Sequence, residues 1–290
     1  MKIMVLGREG QLARCLAEKG RDHPELDLIF TSRQDVDLSS NGSAAAAIAS
    51  LRPDFVINAA AYTAVDKAEE EPALAFRING EAAGEAAAAA RTIGAPIVHL
   101  STDYVFDGQA SEPYPEDAPT NPLSVYGRSK LAGEESVRAA NPNHLILRTA
   151  WVYSPFGRNF VKTMVAAARD RDTLTVVADQ QGRPTSASDL AGAILQIVER
   201  RAGLGDTWHL AGSGSASWFD LASEVMAHCR RLGLPSADVR PVTTADWPTK
   251  AARPPYAVLD CTKAERDLGI VLPDWRQSVA DTVERLAQED

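Results

Sequence analysis

Three short runs of this sequence hold residue types at spacings suited to chemistry. The first is Gly7-Arg8-Glu9-Gly10-Gln11-Leu12-Ala13, a GxxGxxA where a strand gives way to a helix. Glycines there let the backbone turn tightly and approach a pyrophosphate, which then sits on the positive helix N-terminus. The second is Ser101-Thr102-Asp103-Tyr104-Val105-Phe106-Asp107-Gly108, at the end of another strand. The third is Tyr126-Gly127-Arg128-Ser129-Lys130. A tyrosine and a lysine four apart on a helix share one face, so the ammonium can stabilise a phenolate and lower its pKa. That makes Tyr126 a candidate proton donor, on a helix that Pro122 would open as first residue. Taken singly, each run also fits a blander reading: a tight turn with no ligand, or two surface residues at chance spacing.

A dinucleotide site expects an acid about 20 residues beyond the glycines to hold the ribose hydroxyls. The corresponding strand instead ends in Thr31-Ser32-Arg33. An arginine without a neighbouring carboxylate favours a 2′-phosphate, which the guanidinium grips with two charge-assisted bonds. NADPH is therefore expected ahead of NADH; the alternative for Arg33 is a plain solvated charge.

These residues need elements to hold them. Apolar runs of strand length recur at Lys2–Leu6, Leu26–Thr31, Phe55–Asn58, Ile97–Leu100 and Leu145–Arg148, separated by helix-favouring stretches at Gln11–Lys19, Ser43–Leu51, Ala73–Thr92 and Val125–Ala140. Continuous apolar strands alternating with helices are what a parallel sheet buried on both faces requires. The expected fold is α/β, a Rossmann-like doubly wound parallel sheet with a smaller C-terminal substrate-binding lobe. Beyond Trp151 the pattern loosens into a helix near 160–169, a strand near 174–177, a helix at 188–201, a strand at 207–210 and an irregular, Pro-bearing stretch at 235–255 suited to closing over a substrate. Residues 1–149 and about 172–200 would form the dinucleotide-binding domain, and about 150–171 with 201–290 the substrate lobe.

In order along the chain, the glycine turn, Asn58-Ala59-Ala60-Ala61, the Ser-Thr-Asp segment and YxxxK resemble the extended short-chain dehydrogenase/reductase family. NAAAYTAVDKA (58–68), STDYVFDG (101–108), YGRSKLAGE (126–134), RTAWVY (148–153) and GRPT (182–185) look like its branch acting on dTDP-4-keto sugars, and the likeness covers essentially the whole chain. The resemblance implies hydride transfer from NAD(P)H to the C4 ketone of dTDP-4-dehydro-L-rhamnose. It implies a catalytic set of Thr102, Tyr126 and Lys130. Gly7, Gly10, Gln11 and Leu12 would line the pyrophosphate, Asp37 and Leu38 the adenine, and Ala61, Tyr62 and Thr63 the next edge of the cofactor, with Tyr126 and Lys130 also touching it. Thr102, Asp103, Tyr126 and Trp151 would face the sugar, and Arg253 would pair with the diphosphate. Two departures stand out: Ala13 replaces a usual glycine, and Cys15 and Ser188 fall where some relatives place carboxylates for a magnesium-linked dimer. Monomer and homodimer both stay open. Another sugar-nucleotide reductase or epimerase, or a regulatory subunit on the same scaffold, are the rival readings.

Composition narrows the field further. The 290 residues carry 30 basic and 39 acidic side chains, a net charge of −9, which argues against nucleic acid or an anionic membrane as the main partner. Three unclustered cysteines suggest neither a disulfide framework nor a metal site, and five dispersed histidines show no ligand spacing, so no metal is expected. No apolar stretch resembles a signal peptide or a membrane span, which fits a cytoplasmic enzyme. Asp66, Glu69, Glu70 and Glu71 read as a solvated helix start, and Trp208, Trp218, Trp247 and Trp275 as packing residues of the second lobe, the alternative being that one of them stacks on the substrate's base.

Overall fold

In the computed structural model, which describes residues 1–289, five of the apolar runs become β1 (Lys2–Leu6), β2 (Asp27–Thr31), β3 (Phe55–Asn58), β4 (Ile97–Thr102) and β5 (His144–Thr149). Between them lie α1 (Gln11–Lys19), α2 (Ser43–Leu51), α3 (Val65–Ala68), α4 (Pro72–Phe76), α5 (Ala82–Thr92) and α6 (Val125–Ala140). Every ladder of this sheet is parallel. Its spatial order is β2, β1, β3, β4, β5 and then β10 (Asp206–His209). The order reverses between β1 and β3, and such a reversal opens a crevice at the carboxyl ends of the strands.

Strands buried on both faces explain the unbroken apolar runs. On one face Leu12, Cys15 and Leu16 of α1 pack with Leu190 and Ile194 of α8 (Ala187–Arg200) against Ile3, Val5 and Ile57. On the other face the alanines of α5 lie against Met4, Val56 and Ile97. Alanine is used there because a small side chain on a strong helix former lets helix and sheet approach closely. The helical stretch anticipated over 73–92 is real but interrupted by a π-turn at Arg77–Glu81. Such turns concentrate at functional sites, and this one carries the buried Asn79.

The second lobe is built from α7 (Phe160–Ala167), α9 (Trp218–Arg231) and α11 (Trp275–Glu289) with short strand pairs: β6 (Val152–Tyr153) with β9 (Thr185–Ser186), β7 (Thr173–Val177) with β12 (Asp238–Val242), and β8 (Gln181–Gly182) with β11 (Ala216–Ser217). A short α10 (Thr262–Leu268) leads into α11. Two strands pair where the sequence pattern alone does not place them. Strand β10 closes the central sheet, and β7 belongs with β12 in the lobe. An isolated apolar strand carries no local signal of which sheet will receive it. Part of the supposedly irregular stretch at 235–255 is thus a strand, and the remainder forms a loop crossing to the first lobe.

Candidate active site

The crevice begins at Gly7, whose φ of +113° is open to glycine and strained for other residues. A Cβ there would stand 3.5 Å from the Ala60 nitrogen, so the ends of β1 and β3 approach backbone to backbone. Gly10 differs. Its φ of −68° suits any residue, and a Cβ would meet nothing within 4 Å. The protein itself does not require that glycine; a ligand lying on the backbone would. Gly10 caps α1 and no side chain caps the helix, which leaves its first N–H groups facing the crevice. Leu12 and Ala13 turn into the core, so only their backbone can face a pyrophosphate, and the methyl of Ala13 is accommodated. Gln11 uses its side chain elsewhere: its amide donates to Val152 O at 3.3 Å and accepts from Ser154 Oγ and Asn159 Nδ2, both at 2.9 Å, tying α1 to the second lobe.

At the end of β2, Arg33 is largely exposed and faces Asp37 at 3.5 Å, while Asp37 also accepts from Ser39 and has its pKa lowered chiefly by that hydroxyl. Leu38 is buried in the core. Arg8, which the sequence reading passed over, reaches the same strand end: its guanidinium donates to Phe30 O at 2.7 Å and lies 3.6 Å from Asp35. Its signal was its place in the glycine turn, one residue after a strand.

The loop Ala61-Tyr62-Thr63 is held by Asn79 of the π-turn. Tyr62 N donates to Asn79 Oδ1 at 2.8 Å, and Asn79 Nδ2 donates to Tyr62 O at 3.0 Å and to Ser129 Oγ at 2.9 Å. One buried amide thus fixes both this loop and the helix turn between Tyr126 and Lys130. Helix α6 starts at Val125 rather than Pro122, because Ser124 caps it by accepting Gly127 N at 3.1 Å. Val125 N is in turn satisfied by Glu69 Oε1 at 2.7 Å.

The acidic run is therefore not a solvated helix start. Glu69 caps the start of α6, Glu71 accepts the Tyr62 hydroxyl at 2.8 Å, Glu70 pairs with Lys250, and Asp66 pairs with Arg253 at 2.8 Å. Each carboxylate ties down a neighbour of the crevice. Sequence shows the charges without their partners, and those of Asp66, Glu69 and Glu70 come from distant segments.

Thr102 ends β4, with its hydroxyl donating to Asp103 Oδ1 at 2.9 Å and accepting Tyr104 N at 3.2 Å. Tyr126 lies beside it, edge-on to Tyr104 with ring centroids 5.5 Å apart. Burial pushes the Tyr126 phenol up to about 12, opposed only by the Thr102 hydrogen bond. The expected depression by Lys130 is not what this structure shows. Lys130, 3% exposed, donates to Leu100 O, and burial brings its pKa down to about 8, with Glu134 acting against that. The helix spacing places both groups on one face, but the Lys130 ammonium is spent on Leu100 O and burial dominates at the phenol. Glu134 is held bidentately by Arg148 at 2.9 and 2.7 Å and accepts Ser101 Oγ at 2.5 Å. Asp103 is 2% exposed and raised to about 7 by burial, and its Oδ2 has no hydrogen-bond partner. That oxygen lies beside Thr102 and Tyr126, where a polar ligand group could satisfy it.

From the second lobe, Trp151 presents its indole with φ +48°, a left-handed conformation strained for a tryptophan. It stacks on Trp218 at 3.6 Å and 4°, and Trp218 Nε1 donates to Gln180 Oε1 at 3.2 Å. A Cβ on Gly182 would sit 2.4 Å from the Trp151 ring, so that glycine makes room for it. Of the other tryptophans, Trp275 packs in the lobe core as expected, Trp208 packs in the main core, and Trp247 is 55% exposed and packs in neither. Cys15 is buried in the core under α1, with its thiol pushed up to about 12. Among the described residues, one group brings three ligating side chains together: His23, Glu25 and Glu199, exposed or nearly so at the opposite end of the sheet from the crevice.

A parallel doubly wound sheet with an open glycine turn at its reversal, and a Tyr–Lys pair beside a threonine under a second lobe, is a scaffold of the short-chain dehydrogenase/reductase type. Comparison with known proteins narrows the class. The family described as the RmlD substrate binding domain matches residues 1–288, and the chain belongs to it. A relative from Sinorhizobium fredii named dTDP-4-dehydrorhamnose reductase is 45% identical, covering 100% of this chain and 99% of its own. A crystal structure of a dTDP-4-dehydrorhamnose reductase from Clostridium acetobutylicum superposes with a TM-score of 0.93 at 40% identity, over 99% of this chain and 100% of that one. The enzyme of the same name from Bacillus anthracis, solved in complex with NADP, gives 0.90 at 33% identity over 100% and 99% of the two chains.

Proposed function

We propose that this protein reduces the C4 ketone of dTDP-4-dehydro-L-rhamnose to dTDP-L-rhamnose with NADPH, accepting NADH less well. The observation that carries the reading is the convergence of Thr102, Tyr126 and Lys130 at the sheet's carboxyl edge with Asp103, Trp151 and Arg253 around them. Like its relatives, it would be an oxidoreductase of carbohydrate biosynthesis working on a dTDP-sugar.

The chain's residues suit the cofactor. The bare backbone at Gly7 and Gly10, with the N–H groups of Gln11 and Leu12, would cradle the pyrophosphate. Arg33, with Arg8 beside the same strand end, would hold the 2′-phosphate. Asp37 and the Leu38 backbone would border the adenine, and Ala61, Tyr62 and Thr63 would line the crevice. The cofactor, once bound, supplies hydride.

What the protein does to the substrate follows from its own groups. A phenol raised to about 12 stays protonated at neutral pH, as a donor must, so Tyr126 gives its proton to the oxygen formed at C4. Lys130 would hold the nicotinamide ribose once the cofactor is bound. Thr102 can hydrogen-bond the carbonyl only by turning its hydroxyl away from Asp103, and Asp103 Oδ2 is then the natural partner of a sugar hydroxyl. Trp151 bears on the sugar face and Arg253 on the diphosphate. These placements support a two-lobed division of labour, with cofactor on the central sheet and sugar nucleotide under the second lobe.

The test is NADPH oxidation with purified protein and dTDP-4-dehydro-L-rhamnose, with a UDP-linked 4-keto sugar as comparison. Turnover confined to the dTDP compound is expected; NADPH and dTDP binding without turnover would point to a regulatory subunit.

A further inference from the structure

Arg253 is the one site residue that reaches the crevice from the long loop after β12, and its guanidinium is not free. Nη1 donates to Asp66 Oδ1 at 3.2 Å and to Ala251 O at 3.3 Å, and Nη2 donates to Asp66 Oδ2 at 2.8 Å. The same carboxylate accepts the backbone N–H of Ala251 at 3.0 Å. Asp66 therefore holds both the guanidinium and the chain that bears it. One edge of the fork, Nε–H and the second Nη2–H, stays clear of Asp66, with the Tyr104 hydroxyl in hydrogen-bonding reach of the guanidinium. That edge is the one through which an arginine grips a phosphate with two parallel bonds.

Asp66 itself is placed by the first lobe. It lies on α3, three residues beyond the Ala61–Thr63 edge, and Glu70 makes a separate tie to Lys250 of the same loop. On its far side the loop is fixed by Gln181 N donating to Pro255 O at 2.8 Å and by close packing of Pro254 and Pro255 over Gly108. The loop thus bridges the lobes, with the Asp66 carboxylate bonded to both the Arg253 guanidinium and the Ala251 N–H.

We propose that Asp66 is a positioning residue for nucleotide-sugar binding: it orients Arg253 so that the Nε–Nη2 edge of its guanidinium, beside the Tyr104 hydroxyl, meets the diphosphate. The inference rests on the reading of Arg253 as the diphosphate ligand. A long arginine chain loses rotamer entropy when it binds, and a fork already held in place has less to lose.

The experiment is calorimetric titration of dTDP into NADPH-loaded wild type, Asp66→Asn, Asp66→Glu, Arg253→Ala, the Asp66→Asn/Arg253→Ala double variant and Lys250→Ala. Asp66→Asn should weaken dTDP about tenfold, the size expected for one charge-assisted contact. Asp66→Glu should recover part of that loss, and the double variant should be no weaker than Arg253→Ala alone, because Asp66 acts only through the arginine. In turnover the Asp66→Asn defect should lie in KM for the sugar nucleotide, with kcat and NADPH affinity within twofold of wild type. Lys250→Ala, which removes the other tie, should bind dTDP normally. Unchanged or tighter dTDP binding by Asp66→Asn, with Arg253→Ala still weakened, overturns the positioning role and leaves Arg253 in place. An equal loss in Lys250→Ala overturns it too, since general closure of the loop would then explain the effect. Normal binding by Arg253→Ala removes the underlying reading of the arginine itself.

Discussion

Asp103 is the site residue whose protonation the fold changes most consequentially near neutral pH. Its carboxyl is raised from 3.8 to about 7 because it is desolvated, and the Thr102 hydrogen bond only partly offsets this. A folded-state pKa above the unfolded one means that the folded protein binds the extra proton. Stability from this group is full below pH 4 and is lost as pH rises toward 7. Asp103→Asn removes the titration, so its melting temperature relative to wild type should be higher at pH 8.5 than at pH 5, by an amount reflecting a few kcal/mol at most. A pH-independent difference between the two proteins would show that Asp103 is solvated. Lys130 gives a second pH signature. With its ammonium lowered to about 8, kcat/KM should decline as pH rises through that value, because the ribose then loses a charged donor. At this scale the sequence was informative about residue types: Tyr126 lies beside Thr102, and Lys130 reaches Leu100 of the same strand. It was silent on burial, which reversed the expected direction for the tyrosine.

The site is set by where elements end. Helix α6 begins at Val125 because Ser124 and Glu69 cap it, which aims the first turn, with Tyr126, at Thr102. Ser124→Ala should cost about 1 kcal/mol of stability in denaturant titration. In the second lobe β8 must pass under Trp151 without a side chain. Gly182→Ala should displace the indole and raise KM for the sugar nucleotide severalfold while leaving NADPH affinity unchanged; a normal KM would take Trp151 off the sugar. The regular part of this architecture was legible, since β1, β3, α1 and α2 have the bounds that periodicity and helix-forming composition suggest. What was not legible arises from long-range pairing. Examples are β10 joining the central sheet, the π-turn around Asn79, and an acidic run whose four carboxylates find partners up to 187 residues away. No local pattern encodes a partner that distant.

The whole molecule is acidic, with a net charge of −9, yet its proposed ligands are both anions. Binding must then rely on a few placed cations and helix ends against an unfavourable overall field. Arg33 and Arg8 stand at the β2 end in solvent, so their hold on a 2′-phosphate is screened. Arg33→Ala should lower the NADPH preference in kcat/KM by roughly tenfold and leave NADH almost unchanged, and added salt should narrow the wild-type gap. Equal loss with both cofactors would return Arg33 to the role of a surface charge. The central claim, that Tyr126 supplies the proton for ketone reduction in the crevice between the lobes, is tested most directly in single turnovers of Tyr126→Phe on dTDP-4-dehydro-L-rhamnose at saturating NADPH. The rate of NADPH oxidation should fall by ~10²-fold or more with cofactor and dTDP affinities preserved. A variant that turns over at the wild-type rate would contradict the account.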